Sequence, residues 1–158
     1  MEIVRSLDAE FRRLHERSCA LLRATPAERL YWQPRPSSGA FPAHSCGEFL
    51  LRSAAVVEQT FGGVTANLWD DPFEWTLPET LPTPAHIEEY LHEAEQARQR
   101  AFALFRGDAD LLKEIATPAA GMRTLCGLAL DALVRASHYQ GRAFATFRLF
   151  SDAPPPRL

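Results

Sequence analysis

Apolar side chains recur every three or four residues in four stretches of the chain, a spacing that places them on one face of a helix. The first predicted helix covers residues 6–23 and ends before Thr25-Pro26. The second begins at Ser45, with Glu48 three residues later. That spacing is typical of a capping box, in which each side chain accepts a hydrogen bond from the other residue's backbone N–H. Gly62-Gly63 is predicted to end this helix.

The third predicted helix has Thr83 as its N-cap and Pro84 at its first position, where a missing N–H has no cost, and it ends at Gly107. The fourth runs from about Thr124 to Phe150. No segment alternates clearly enough to predict a β-strand. We therefore expect an all-α fold, with residues 1–158 forming a single four-helix-bundle domain. A connection of about 22 residues between the second and third helices is long enough for a crossover.

Composition narrows the classes of partner. The chain has 158 residues, of which 46% are hydrophobic, and this is enough for one core. It carries 17 basic and 20 acidic residues, for a net charge of -3. Binding to nucleic acid or to an anionic membrane rests on a surplus of positive charge, so we expect neither as a partner.

The cysteines and the N-terminal segment indicate a cytoplasmic protein. Cys19, Cys46 and Cys126 are odd in number and far apart, so they predict neither a disulfide framework nor a thiolate zinc site. The N-terminal segment has no apolar leader-like stretch, and the chain has no run of about 18 apolar residues.

One segment of the fourth predicted helix has the layout of a metal motif without its histidines. Two side chains can share an ion on a helix when they lie three or four residues apart. In the segment from Arg135 to Arg142, the two positions with that spacing hold Arg135 and Tyr139.

The order of several further segments, taken with this one, resembles the DinB/YfiT-like superfamily of four-helix-bundle metalloenzymes. The matching segments are Leu30 to Pro36, Ser45-Cys46-Gly47-Glu48, Thr83-Pro84, the stretch from Thr117-Pro118 to Thr124, and Phe147 to Phe150 before a proline cluster. The resemblance covers nearly the whole chain. It implies up-down-down-up connectivity of the four helices and, as in many members of the family, a homodimer.

The resemblance also implies a divalent metal held by three histidines, whose positions correspond here to Arg52, Arg135 and Tyr139. A guanidinium stays protonated and has no lone pair to give to a metal. His138 matches a neighbouring position that is not a usual ligand. We therefore expect a divergent member that lacks the metal-binding histidines, with no metal and no cofactor.

A replacement metal site would need other histidines to converge. The candidates are His15, His44, His86, His92 and His138. His86 and His92 are six residues apart, on different faces of a helix, and His44 lies in a predicted loop. We do not expect a transition-metal site from this set.

Each of the two arginines has an acid four residues earlier, Glu48 before Arg52 and Asp131 before Arg135, which is the favourable order for an ion pair on a helix. These pairs could stand in for the missing ion. A sharper hypothesis is that the arginines, with Tyr139 and His138 as hydrogen-bond donors, form a small pocket for a carboxylate or phosphate.

A second interpretation is a solvated helix face. Asp131, Arg135, His138 and Arg142 share one narrow stripe, as exposed ion-pair clusters do, and such pairs are individually weak. The loop aromatics Trp32, Trp69, Phe73 and Trp75 are similarly ambiguous, because they either roof a cleft or hold their loops against the helices. We favour the second role for them.

Three classes of function follow from these observations. The first is a small-ligand-binding or non-catalytic interaction protein, with the three substituted positions as its binding residues and a small anion as its ligand. The alternative is a metal-dependent enzyme like the family's thiol-dependent S-transferases or hydrolases, using an unrecognised site. The third is a structural or interaction protein whose bundle surface forms a homodimer.

Overall fold

The computed structural model of the chain describes residues 1–35, 44–72, 75–154 and 156, and within them the chain is mostly helical. Pro36 and Phe73, which figure in the sequence predictions, lie outside the described residues. The regular elements are helices α1 (Glu2–Ala24), α2 (Cys46–Ala66), α3 (Pro84–Phe102) and α4 (Leu125–Phe147), and strands β1 (Glu114–Thr117) and β2 (Gly121–Thr124). A 3₁₀ helix, Asp108–Leu112, follows α3.

Three predicted helix starts are confirmed by their caps. The Ser45 hydroxyl accepts from the Glu48 N–H, and the Glu48 carboxylate accepts from the Ser45 N–H at 2.7 Å, so the capping box is complete. Thr83 caps α3 ahead of Pro84. The Thr124 hydroxyl caps α4 by accepting from the backbone N–H of the third helical residue at 3.1 Å. These caps satisfy N–H groups that have no partner inside the helix.

Three predicted helix ends were wrong, including that of α3, which ends at Phe102 rather than at Gly107. Gly62-Gly63 does not stop α2, which continues to Ala66 and ends at Asn67 in the left-handed conformation, with φ of 56°. A glycine inside a helix costs about 1 kcal/mol, which packing along the rest of the helix outweighs. Helix α4 ends at Phe147 rather than Phe150.

The expectation of no β-strand was also wrong. Strands β1 and β2 pair antiparallel, from Glu114 opposite Thr124 to Thr117 opposite Gly121. Each strand has four residues, too few for an alternating pattern to stand out in the sequence. The turn ends at Gly121, whose φ of 66° favours glycine. The hairpin leads directly into α4.

Within the described part of the chain the buried apolar side chains form two clusters, and Tyr139 packs against both. Buried polar groups tie the helices together. The Gln140 amide donates to the Leu14 carbonyl and to the Ser18 hydroxyl, both at 2.7 Å. The Ser53 hydroxyl donates to a backbone carbonyl of α4 at 2.9 Å. Helix α2 packs mainly against α3 and α4, while α1 packs mainly against α3 and α4 from the other side.

No helix in the described part of the chain combines the length and the apolar character that a bilayer crossing requires.

Candidate functional site

Helices α2 and α4 bring the three binding residues predicted from the sequence to one small cavity. Arg52, Arg135 and Tyr139 line it together with Gln59 and Asp71, among others, and its volume is about 50 Å³. The cavity therefore collects two guanidinium groups, a phenol, an amide and one carboxylate.

The sequence places these side chains by helix periodicity and by one contact between the helices. Arg52 and Gln59 lie two turns apart on α2, and Arg135 and Tyr139 lie one turn apart on α4. The bond from Ser53 to the Ala136 carbonyl joins α2 to α4 beside them. Ser53 directly follows Arg52 in the sequence, and Ala136 directly follows Arg135. The bond between Ser53 and Ala136 therefore sets the positions of the two arginines relative to each other along the helix axes.

The acids predicted to pair with the arginines behave differently from each other. The Glu48 carboxylate is engaged at the start of α2, where it accepts from the Ser45 N–H and hydroxyl at 2.7 and 2.8 Å. Burial opposes its ionisation, but these hydrogen bonds outweigh burial and hold the pKa of Glu48 below its usual value. Asp131 does pair with Arg135, at 3.6 Å, with both side chains about half exposed. A pair with that exposure contributes little to stability.

The remaining residues of the predicted stripe face solvent. His138 is exposed and its ring meets that of Tyr139 edge-on, with centroids 5.9 Å apart. The Arg142 guanidinium lies over the Phe49 ring at 5.0 Å. Of the stripe, Arg135 is the member that lines the cavity, so the pocket and the solvated face share one residue.

A larger cavity adjoins the first and shares Gln59 and Arg135 with it. Its volume is about 180 Å³, and its lining includes Trp69, Leu128 and Arg123. The site therefore has a small polar inner part and a larger, partly aromatic outer part.

Trp69 serves both roles that were weighed for the loop aromatics. Its indole lies directly over Gly63, where an added Cβ would come within 2.4 Å of the ring, and its N–H donates to Asn67 at 2.9 Å. The same residue forms a wall of the outer cavity. Trp32 packs edge-on against Phe150, with ring centroids 5.6 Å apart, as a residue that holds its loop in place.

A second group of side chains with potential metal-ligand atoms lies on α1 and α3. His15, Cys19 and His92 each offer one potential ligand atom, and these atoms lie within 4.8 Å of one another. The histidine candidates named from the sequence thus converge in part, with a cysteine that the sequence analysis left out. The spacing of four residues between His15 and Cys19 was a visible signal, but the approach of His92 depends on how α1 and α3 pack.

Burial keeps two of these groups uncharged. Burial raises the pKa of the Cys19 thiol to about 11 and lowers the pKa of His15 from its usual value. A thiol in that state is a poor nucleophile on its own, since the thiolate is the reactive form.

No protein-family model matches the chain, and no curated protein matches it either. Function is therefore inferred from the residues and their geometry.

Proposed function

We propose that the chain is a DinB-like four-helix-bundle protein whose cavity between α2 and α4 binds a small anion, a carboxylate or a phosphate group, in place of the family's metal. The observation that carries the proposal is that Arg52, Arg135 and Tyr139 line one cavity. The anion would bind in this cavity without a metal, and the protein would not catalyse a reaction there.

The order of contacts between helices supports this topology. Along α1 and α3 the contacts run in opposite order, since Asp8 pairs with Arg98 whereas Arg23 pairs with Glu88. Along α2 and α3 they run in the same order, with Glu58 bonded to Tyr90 and Gly62 sharing a cavity with Ala97. Helices α2 and α4 again run in opposite order, from Ser53 opposite Ala136 to Thr60 beside Leu128. These directions support the proposed up-down-down-up topology.

Charge favours an anion in the inner cavity. Among the described residues, its lining includes two guanidinium groups and one carboxylate, that of Asp71, while Asp131, which pairs with Arg135, lines the adjoining larger cavity. Planar guanidinium groups can donate two parallel hydrogen bonds to a carboxylate or phosphate, which a lysine cannot match. Tyr139 supplies a further donor.

Size limits the ligand. A cavity must offer about 10–15 Å³ for each water, so 50 Å³ accommodates about three to five waters or one small anionic head group. The adjoining 180 Å³ has room for a short organic remainder beside Trp69 and Leu128. We therefore propose a small organic acid or phosphate ester rather than a polymer.

Calorimetric titration of the purified chain tests this proposal, with inorganic phosphate and with acetate as separate probes. Either anion is expected to bind at one site. Arg52→Met and Arg135→Met should each weaken binding about 10- to 100-fold, because a hydrogen bond to a charged group contributes about 1.5–3 kcal/mol.

Arg142→Met is the matched control, since it removes the same charge from α4 at a residue that stacks on Phe49 instead of lining the cavity. Its affinity should stay within about twofold of the parent. Equal losses in all three variants would indicate general charge attraction and would refute the site, as would the absence of saturable binding of both anions.

The homodimer and the cytoplasmic location implied by the sequence analysis remain predictions. The alternative function, a metal-dependent enzyme, requires ligands elsewhere in the chain.

A further inference from the structure

His15, Cys19 and His92 form a compact group of nitrogen and sulfur atoms between α1 and α3, on elements other than those of the arginine cavity. His15 and Cys19 lie one turn apart on α1, and His92 approaches from α3. We propose that these three side chains bind a zinc ion that joins the two helices. This inference is independent of the anion site.

The distance between the two α1 ligands fits zinc. A tetrahedral ion with Zn–S of about 2.3 Å and Zn–N of about 2.0–2.1 Å sets its sulfur and nitrogen ligands about 3.6 Å apart. The Cys19 sulfur lies 3.6 Å from Nε2 of His15. The same sulfur also lies 3.9 Å from Nδ1 of that ring, so the His15 ring must turn to aim its Nε2 lone pair at the ion.

His92 completes the group by a small rotation. Two nitrogen ligands of a tetrahedral zinc lie about 3.3 Å apart, and the ligand atoms of this group are at most 4.8 Å apart, so an approach of about 1.5 Å at most is needed. The His92 side chain is exposed, so a rotation of the ring is not opposed by core packing.

A hydrogen bond prepares His92 as a ligand. Its Nδ1 lies 2.7 Å from the backbone carbonyl of Glu88, one turn earlier on α3. A carbonyl can only accept, so Nδ1 carries the proton and Nε2 keeps its lone pair. Metal-binding histidines characteristically have their second nitrogen held by such a carbonyl or carboxylate.

The ligand set and its surroundings favour zinc over other ions. Thiolate with imidazole suits zinc or copper, whereas calcium and magnesium take oxygen ligands. A copper site with two histidines and a cysteine usually adds a weak methionine ligand. The two methionines of the chain lie elsewhere, Met1 beside Asp108 and Met122 on β2.

Three protein ligands leave one tetrahedral position for water, as in catalytic zinc sites. A cavity of about 20 Å³, enough for one water, reaches the His15 ring and is also lined by Ser18, Ser53 and Glu95. Of the three proposed ligands, His15 is the one that lines this cavity, and the Glu95 carboxylate there already accepts hydrogen bonds from Arg98 and Gln99.

Cobalt substitution tests the proposal directly. The chain of 158 residues, stripped of metal by a chelator, is titrated with Co²⁺ while its absorption spectrum is recorded. We expect one equivalent to produce thiolate-to-cobalt charge transfer in the near ultraviolet and the strong visible bands of tetrahedral Co²⁺. One equivalent of Zn²⁺ should abolish both.

Variants identify the ligands. Cys19→Ser should abolish the charge-transfer band, and His92→Gln should weaken Co²⁺ binding at least about tenfold. Because Cys19 is buried, its variant can fail to fold, whereas His92 is exposed and its variant keeps the test decisive. His86→Gln, another exposed histidine of α3, is the matched control and should bind like the parent.

Three results would overturn the site: no charge-transfer band in the parent chain, a band retained in folded Cys19→Ser, or equal loss of binding in His86→Gln and His92→Gln. Thermal unfolding gives a second measurement, since a ligand that binds only the folded state raises the melting temperature. Zn²⁺ should raise that temperature in the parent and in His86→Gln, and not in His92→Gln.

Discussion

At the scale of single residues, the structure shows which positions cannot accept a larger side chain. The adjacent glycines of α2 differ sharply in their surroundings. A Cβ on Gly63 would meet the Trp69 ring at 2.4 Å, whereas one on Gly62 would meet its nearest neighbour, the Leu68 carbonyl oxygen, at an ordinary 3.5 Å. The two positions therefore form a natural pair for substitution.

Gly63→Ala should destabilise the protein by about 1–3 kcal/mol, because the Trp69 indole must move away from α2 to make room for the added methyl group. Gly62→Ala should be neutral or stabilising by up to about 1 kcal/mol, since alanine favours the helix more than glycine does. Urea unfolding of both variants measures the difference. A loss in Gly62→Ala as large as in Gly63→Ala would contradict the role assigned to Trp69.

The candidate sites could be predicted from the sequence only in part, and the reason is the same at each residue. Arg135 and Tyr139 share a helix turn, so their proximity follows from spacing alone. The convergence of Arg52 with them was expected from a family resemblance. The approach of His92 to Cys19 depends on the register between two helices, which no pattern within either helix specifies.

At the scale of elements, helix starts were more predictable than helix ends. The caps at Ser45, Thr83 and Thr124 are local, since one side chain binds an N–H three residues later. The end of α2 is not local, because packing carries the helix past two glycines until Asn67 adopts a left-handed conformation. The hairpin was not predicted for a related reason. A pair of four-residue strands is only marginally stable on its own, so its stability depends on its attachment to α4 and not on a pattern within the strands.

The start of α1 is held by a residue from a distant element. The Asp108 carboxylate, in the 3₁₀ helix after α3, accepts from the Glu2 and Val4 N–H groups at 2.9 and 3.0 Å. It also accepts from the terminal ammonium of Met1 at 2.7 Å. A cap of this kind is invisible to the local patterns from which caps are predicted, because its two parts are separated by 104 residues.

This cap predicts a dependence of stability on acid. Hydrogen bonds from the Met1 ammonium and from the backbone of Val4 lower the pKa of Asp108 from 3.8 to about 2. Because the folded pKa is the lower one, the stabilisation is complete above pH about 4 and is lost as the pH falls toward 2. The stability difference between the parent and Asp108→Ala should therefore be constant at neutral pH and shrink between pH 4 and 2.

Urea unfolding at a series of pH values measures this difference. Asp131→Asn, which removes a negative charge from an exposed position of α4, is the control for net charge at neutral pH and should have little effect there. A difference between the parent and Asp108→Ala that persists undiminished at pH 2 would rule out the proposed cap.

At the scale of the whole molecule, a buried polar contact crosses the apolar core. Gln140 of α4 is 4% exposed and donates two hydrogen bonds to α1, to Leu14 and Ser18. Polar groups in such positions are satisfied at a single alignment of the helices, so they favour one register over its neighbours.

Gln140→Met keeps the volume of the side chain and removes both hydrogen bonds. The expected cost is about 1–3 kcal/mol, at about 0.5–1.5 kcal/mol for each bond. Gln96→Met, at an exposed position of α3, is the control and should change stability by less than about 0.5 kcal/mol. Chemical denaturation of the parent and both variants measures these differences in unfolding free energy. An unchanged midpoint in Gln140→Met would show that the contact contributes nothing to stability.

The distant cap on α1 also bears on how the protein is made. Ribosomes add about 5–20 residues per second, so about 4 to 17 seconds pass between the synthesis of Ala24, the last residue of α1, and that of Asp108. Arg98, which forms an ion pair with Asp8 of α1, lies 90 residues after Asp8 and is therefore synthesised only shortly before Asp108. Throughout that interval the carboxylate that caps α1 is absent, so the helix is made well before the contact that holds its first turn.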